Sequence, residues 1–251
     1  MDLSKYKLPL DTLPIRAIEI IEQEVIESEF IDFKHSQELV GKETIGDGVY
    51  KNKEHSYFIK CTTDMVNANP QMIGWWFAWH LPFSERYKLW HPRDHISARL
   101  KEEQNSMRFK DQYIGIDSYV EEYIGSKLQK LKITFQDPSH FGLHSDHNSI
   151  AICASVVDAI TGIRVAKILH FVIKIESGAV MKSYFWIGAH LSHQNTLKSL
   201  VISKLSKIKF IKGFFINDNS AKNLLIHCYE EMNHLSKFLP DLYREYNAFV
   251  D

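Results

Sequence analysis

The sequence predicts an α+β fold: a curved antiparallel sheet around a long C-terminal helix, with a small N-terminal appendage. Three observations predict it. From about residue 112 to 193, short β-branched and aromatic runs alternate with Gly and Asp punctuation, as in strands joined by hairpins. After the polar stretch 217–220, "AKNLLIHCYEEMNHLSKFL" sets Leu224, Leu225, Cys228, Met232, Leu235 and Leu239 on one broad helical stripe. Neither a tandem strand–helix alternation nor a phosphate-cradling glycine motif occurs, which removes the doubly wound class.

Taken in order, residues 1–60 read as the appendage. They hold Pro9, Pro14, a helical stretch "IRAIEIIEQEVIE" and a "GDG" turn signal at 46–48. Residues 61–251 read as the main domain. Asn69-Pro70 is a helix start, with Asn as N-cap and Pro in the first turn. Ser84 is expected to cap a second short helix, "ERYKLW", which Pro92 ends. Gly162 and Ser177-Gly178 mark hairpin turns within a sheet of roughly five to seven strands. Pro240 is expected to stop or kink the last helix. A sheet wrapped on such a helix is the helix-grip arrangement, which encloses a cavity suited to a ligand.

Composition narrows the function. Lys+Arg number 30 and Asp+Glu 31, so the balanced charge predicts neither a nucleic-acid nor an anionic-membrane partner. The basic run from Lys204 to Lys212 reads as a solvated face. Cys61, Cys153 and Cys228 are too few and scattered for a disulfide framework, which suggests a reducing compartment. With no apolar leader and no run near membrane-spanning length, a cytoplasmic protein is the expectation.

The chemistry concentrates in histidines and carboxylates. The stretch "WWFAWHLPFSERYKLWHPRDH" (75–95) holds four Trp and three His, either a crowded aromatic core or a pocket with a metal at its edge. His227 and Glu231 are four apart, so a helix puts them on one face, as a metal pair or as a surface hydrogen bond. Glu121 and Glu122 lie in strand-like sequence and must point to opposite faces, so one of them faces the helix side. His170 sits in the apolar strand "ILHFVIKI", where a lone His is most often a satisfied core residue.

These segments, in this order, resemble the diacetylphloroglucinol hydrolase family, which includes phloretin hydrolase-like proteins. The resemblance rests on residues 75–95, "VEEYIGSKLQKLKITFQDP", "GAVMKSYFWIG" and "HCYEEMNHLSKFLPDLY", spanning about residues 70–248. It implies a START-like helix-grip domain that holds Zn2+ and cleaves a carbon–carbon bond between a polyhydroxylated aromatic ring and an acyl group. The implied metal ligands are His95 (with His91 as second choice), Glu122, His227 and Glu231. The implied catalytic residues are His170, Tyr87 and Tyr184, with Trp76, Trp79 and Trp186 walling a flat substrate pocket. The family's "RSRFW" stands here as Lys182-Ser183-Tyr184-Phe185-Trp186, a departure that bears on the substrate rather than the metal. The implied partner is a small aromatic ketone, and the resemblance also admits a homodimer. Two other readings share the fold: a non-catalytic module binding an aromatic or lipid ligand, and a metal-dependent ester or amide hydrolase. Converging ligands would separate the first of these from a hydrolase, and substrate trials the second.

Overall fold

Hairpins build most of the sheet. In the computed structural model, which describes residues 1–41, 45–101, 113–144, 148–193 and 216–247, the stretch expected to form strands gives five. They are β5 (Asp117–Ile124), β6 (Lys127–Gln136), β7 (Ser149–Asp158), β8 (Ile163–Ile175) and β9 (Gly178–His193). Four more precede them: β1 (Ile26–Glu27), β2 (Gly48–Lys51), β3 (Tyr57–Val66) and β4 (His95–Leu100). The order across the sheet is β1-β2-β3-β9-β8-β7-β6-β5-β4. Every pairing is antiparallel except that of β1 with β2. Gly178 is required where β8 turns into β9: its φ is 147°, and a Cβ there would lie 2.4 Å from the Met65 carbonyl oxygen.

The described residues also form three short 3-10 helices (Ser4–Tyr6, Phe33–His35 and Pro138–Phe141) and five α-helices: α1 (Ile15–Glu22), α2 (Ser36–Gly41), α3 (Pro70–Trp79), α4 (Ser84–Trp90) and α5 (Asp218–Tyr246). Asn69 caps α3 as expected, accepting from the Met72 N–H at 2.9 Å. Ser84 does not cap α4. It is the first helical residue, and its Oγ bridges to the backbone of Ala98 in β4. Asn217 and Ser220 form a capping box at the start of α5. The helix then runs through Pro240 to Tyr246 without stopping.

The two sheet faces carry separate cores. On the inner face, α5 lays Leu225, Cys228, Met232, Leu235 and Leu239 against β3 and its neighbours, and α3 covers the far end with Trp75, Trp76 and Phe77. On the outer face, Phe33, Leu39, Phe141 and Leu143 pack on Phe58, Leu169, Tyr184 and Trp186. The N-terminal segment, residues 1–60, contributes Tyr6, Ala17, Val49, Tyr57 and Ile59 to the inner core and two strands to the sheet, besides the start of β3. No helix among the described residues is long and apolar enough to cross a membrane. The basic run 204–212 lies outside the described residues.

Candidate metal centre and its cavity

Three pieces of backbone deliver the implied ligands to one place. His95 opens β4 and is the register partner of Glu122 in β5, so both side chains leave the same face of adjacent strands. His227 and Glu231 come from successive turns of α5. Glu121 points the other way, half-exposed, and pairs with Lys130 at 2.9 Å. The turn between α4 and β4 is pinned by His95 N–H donating to the His91 carbonyl and Tyr123 N–H donating to the Asp94 carbonyl, both at 2.9 Å.

The four donor atoms are close. His95 Nε2 lies 3.3 Å from His227 Nε2, 3.6 Å from Glu122 Oε2 and 3.7 Å from Glu231 Oε2, and His227 Nε2 lies 3.9 Å from Glu231 Oε2. Ligands placed about 2.0–2.1 Å from a tetrahedral ion stand about 3.3–3.4 Å apart. The spacing and the chemistry of the donor set therefore fit a divalent cation. Protonation fits it too. His95 Nδ1–H donates to the Tyr87 carbonyl at 3.0 Å, leaving the Nε2 lone pair facing the cluster.

Charge in this small volume makes the same point. Burial, then His227, pushes His95 well below its ordinary value. Burial pushes Glu231 well above the carboxylate range. Burial alone would lower His227, but Asp94, Glu231 and Glu122 outweigh it and raise it. A divalent cation held here would supply the positive charge that two buried carboxylates require.

Tyr87 braces the centre. Its ring stacks on His95 at 3.8 Å and 2°, and its buried hydroxyl donates to Glu122 Oε2. Behind His227 lies a second charged layer. Asp94 Oδ2 is 3.6 Å from His227 Nδ1, and Arg93 grips both Asp94 oxygens at 3.0 Å. Arg93 also reaches Glu230 at 2.6 Å. Burial opposes ionisation of Asp94, but His227 and Arg93 overcome it and hold the carboxyl below the usual range. His91 belongs to this layer. Its Nδ1 accepts from the Asp94 N–H, its Nε2 faces Glu230 at 3.2 Å, and its ring stacks on His227 at 4.5 Å.

A cavity of about 80 Å³ adjoins the cluster, walled by Phe77, His80, Trp90, His170 and Phe185 together with Tyr87, Glu122, His227 and Glu231. His170 is fully buried, bonds Ser183 Oγ at 2.8 Å through Nδ1, and is lowered by burial to about 3, so it stays neutral.

Four implied residues are elsewhere. Tyr184 and Trp186 alternate with Ser183 and Phe185 along β9, so they project from the outer face into the second core, where Trp186 Nε1 donates to the Ile31 carbonyl. Trp76 sits one layer behind the cavity wall, stacked on His80 at 5.1 Å. Trp79 stacks on Trp75 at 5.0 Å and under the Arg86 guanidinium. Two residues absent from the expectation take up supporting positions, Asp94 behind His227 and Ser183 beside His170. Both were within reach of the sequence, Asp94 as the carboxylate preceding His95 and Ser183 as the residue two before Phe185 on the inward phase of β9.

Comparison with known proteins gives the same direction. A family model described as the DAPG hydrolase PhiG domain matches residues 29–244. A 2,4-diacetylphloroglucinol hydrolase of Pseudomonas sp is 32% identical over 209 residues, covering 78% of this chain and 67% of the relative. The phloretin hydrolase of Eubacterium ramulus is 28% identical over 190 residues, covering 73% of this chain and 66% of the relative. The chain thus spans about two thirds of the length of these relatives. Among solved structures, the KanY protein is similar with a TM-score of 0.42 and 14% identity, over 73% of this chain and 96% of that one. The match over most of its length makes this chain a member of the DAPG hydrolase family.

Proposed function

We propose that this chain is a zinc-dependent hydrolase that cleaves the carbon–carbon bond between a polyhydroxylated aromatic ring and an acyl group. The carrying observation is the convergence of His95, Glu122, His227 and Glu231 from three segments at the wall of a cavity that also holds His170. The names of the hydrolase relatives support the substrate class. Three buried thiols without a disulfide suit a cytoplasmic setting.

His95 and His227 would hold the ion through their Nε2 atoms, with Glu122 and Glu231 completing the set. A bound zinc ion supplies an activated water and a polarised acyl carbonyl. Water oxygen then bonds to the acyl carbon, and the acyl–ring bond breaks with its electron pair passing to the ring carbon. Ring hydroxyls accept that charge through a keto tautomer, and the proton given up by the attacking water ends on the ring carbon, which gives the deacylated phenol and a carboxylic acid. His170, neutral across the working range, orients the substrate by hydrogen bonding rather than acting as an imidazolium acid. Tyr87 keeps Glu122 in place.

The test uses purified protein, with metal measured by elemental analysis for wild type and His227→Ala side by side. About one zinc per wild-type chain is expected, with loss in the folded variant. Zinc-loaded wild type should release acid and free ring from an acylphloroglucinol. Cleavage of aryl esters with no ketone cleavage would replace this reading with that of an ester hydrolase.

A further inference from the structure

The cavity beside the candidate metal centre is the smaller of two adjacent compartments. The second is about 200 Å³ and shares Glu122, Ile133, Ile168, Phe185 and Leu224 with the first. The two differ in chemistry. The inner one is lined by His80, Tyr87, His170 and three of the proposed metal ligands, Glu122, His227 and Glu231, and its wall residues Ser118 and Trp90 carry a buried Oγ and Nε1 with no hydrogen-bond partner among the described residues. The outer one is walled mainly by aliphatic side chains, among them Leu131, Val156, Ala166 and Ile216.

Their alignment follows from secondary structure. Along β8 the inward residues are Ala166, Ile168 and His170, belonging in turn to the outer, shared and inner walls. Four residues of strand place Ala166 about 13 Å from His170. Along α5 the same progression runs from Ser220 through Leu224 to His227 and Glu231. The outer compartment is therefore a straight continuation leading away from the reacting centre.

We infer that this enzyme acts on aromatic ketones whose acyl group is a long apolar chain, about six carbons or more, lodged in the outer compartment. The inference rests on the proposed hydrolase reading. The outer compartment's own polar residues, Lys127, Gln129, Asp158 and Ser220, are exposed or half-buried, whereas the inner compartment offers buried partners such as His80, Tyr87 and His170. A ring bearing several hydroxyls is best held among the latter, because buried hydroxyls without partners are costly. The acyl carbon must sit at the metal ligands, and of these only Glu122 lines both compartments. What extends beyond that carbon enters the aliphatic space. An acetyl group would place one methyl there, whereas about 200 Å³ equals the share of roughly six to seven water-sized groups.

The test is a series of trihydroxyphenyl ketones with acetyl, butanoyl, hexanoyl and octanoyl groups. Turnover is measured on the zinc-loaded protein and binding by calorimetry on the metal-free protein. Each added methylene should raise kcat/KM and affinity about fourfold until the compartment is full. In Ala166→Phe, the octanoyl-to-acetyl ratio should collapse by tenfold or more. That ratio, taken within one preparation, is independent of how much of the variant folds. Cleavage with a flat or falling chain-length profile overturns this inference and leaves the hydrolase reading standing. Affinity that climbs with chain length without any cleavage overturns the reaction while supporting the compartment. Neither cleavage nor length-dependent binding overturns both.

Discussion

At the scale of residues, the proposed metal site depends on groups that hold the candidate ligands as much as on those ligands. Asp94 faces the Nδ1 of His227 at 3.6 Å, just beyond hydrogen-bond reach, and no described residue bonds that buried nitrogen, so Asp94 is the acidic neighbour poised to take it up. Outer partners of this kind fix the ring and raise its basicity, and losing one typically costs 10–100-fold in metal affinity. Asp94→Asn should therefore weaken zinc binding by about that factor, read by competition with a chelator, while circular dichroism remains that of the wild type. Unchanged affinity would reduce Asp94 to a structural role. His80 and His170 make a second prediction. Burial lowers them to about 4 and about 3, against an ordinary 6.5. The unfolded chain then binds more protons than the fold, so stability is complete above about pH 6.5 and falls as pH drops toward these values. Each contributes a slope of up to about 1.4 kcal/mol per pH unit. Urea unfolding of the metal-free protein at pH 7, 6 and 5 should show this loss, and His170→Gln should flatten it by about one such slope. An identical slope in the variant would show that His170 is not buried neutral.

At the scale of elements, the balance between local rule and tertiary burial decides what the sequence reveals. The four-residue spacing on α5 follows directly from residue order, so His227 and Glu231 were legible as a pair. His95 over His91 and Glu122 over Glu121 came only from the family resemblance, because β4, whose register with β5 sets His95 beside Glu122, was not expected as a strand. The aromatic residues were less so. Strand alternation alone places Tyr184 and Trp186 on the face opposite Ser183 and Phe185, but which pair faces inward depends on His170 pairing with Ser183 across the hairpin. The Trp residues of α3 were ambiguous for a different reason. A helix that is apolar all round gives no stripe to show which side meets a cavity and which meets a core. Pro240 shows local preference losing outright. An interior proline costs about 3 kcal/mol, but Leu242 and Tyr246 beyond it are buried, and each such side chain is worth about 1.5–3 kcal/mol. The start of the same helix obeys its local rule. Asn217→Ala removes the cap accepted from Ser220 N–H at 2.9 Å and should cost about 1 kcal/mol in chemical denaturation. Zinc affinity should hold, because His227 lies ten residues or about 15 Å further along.

At the scale of the molecule, the helix that supplies half of the proposed ligand set is clamped at both ends by the N-terminal segment. At its start, Asp218 accepts from the Tyr57 hydroxyl at 2.5 Å and from Lys51 Nζ at 3.0 Å, and further along, the Tyr229 hydroxyl donates at 3.0 Å to Asp47, whose buried carboxylate also accepts from Thr62 N–H at 2.9 Å. At its end, Tyr6 packs 6.2 Å from Phe238 and 6.3 Å from Tyr246, and its hydroxyl donates to Glu245 at 2.7 Å. The Tyr246 hydroxyl returns a bond to the Asp2 carbonyl at 2.8 Å. An appendage resting lightly on the sheet would open before the rest of the chain. Contacts of this depth instead predict one cooperative transition, with tryptophan fluorescence and far-ultraviolet dichroism changing together. Tyr6→Ala distinguishes the two. Deleting a buried aromatic side chain costs about 3–5 kcal/mol, which at this chain length lowers Tm by roughly 6–20 °C. If the N-terminal segment belongs to the same cooperative unit, the whole transition shifts by that amount and zinc still binds below it. If it opens independently, Tyr6→Ala introduces an early, shallow phase and leaves the main transition, and the metal centre it protects, where they were.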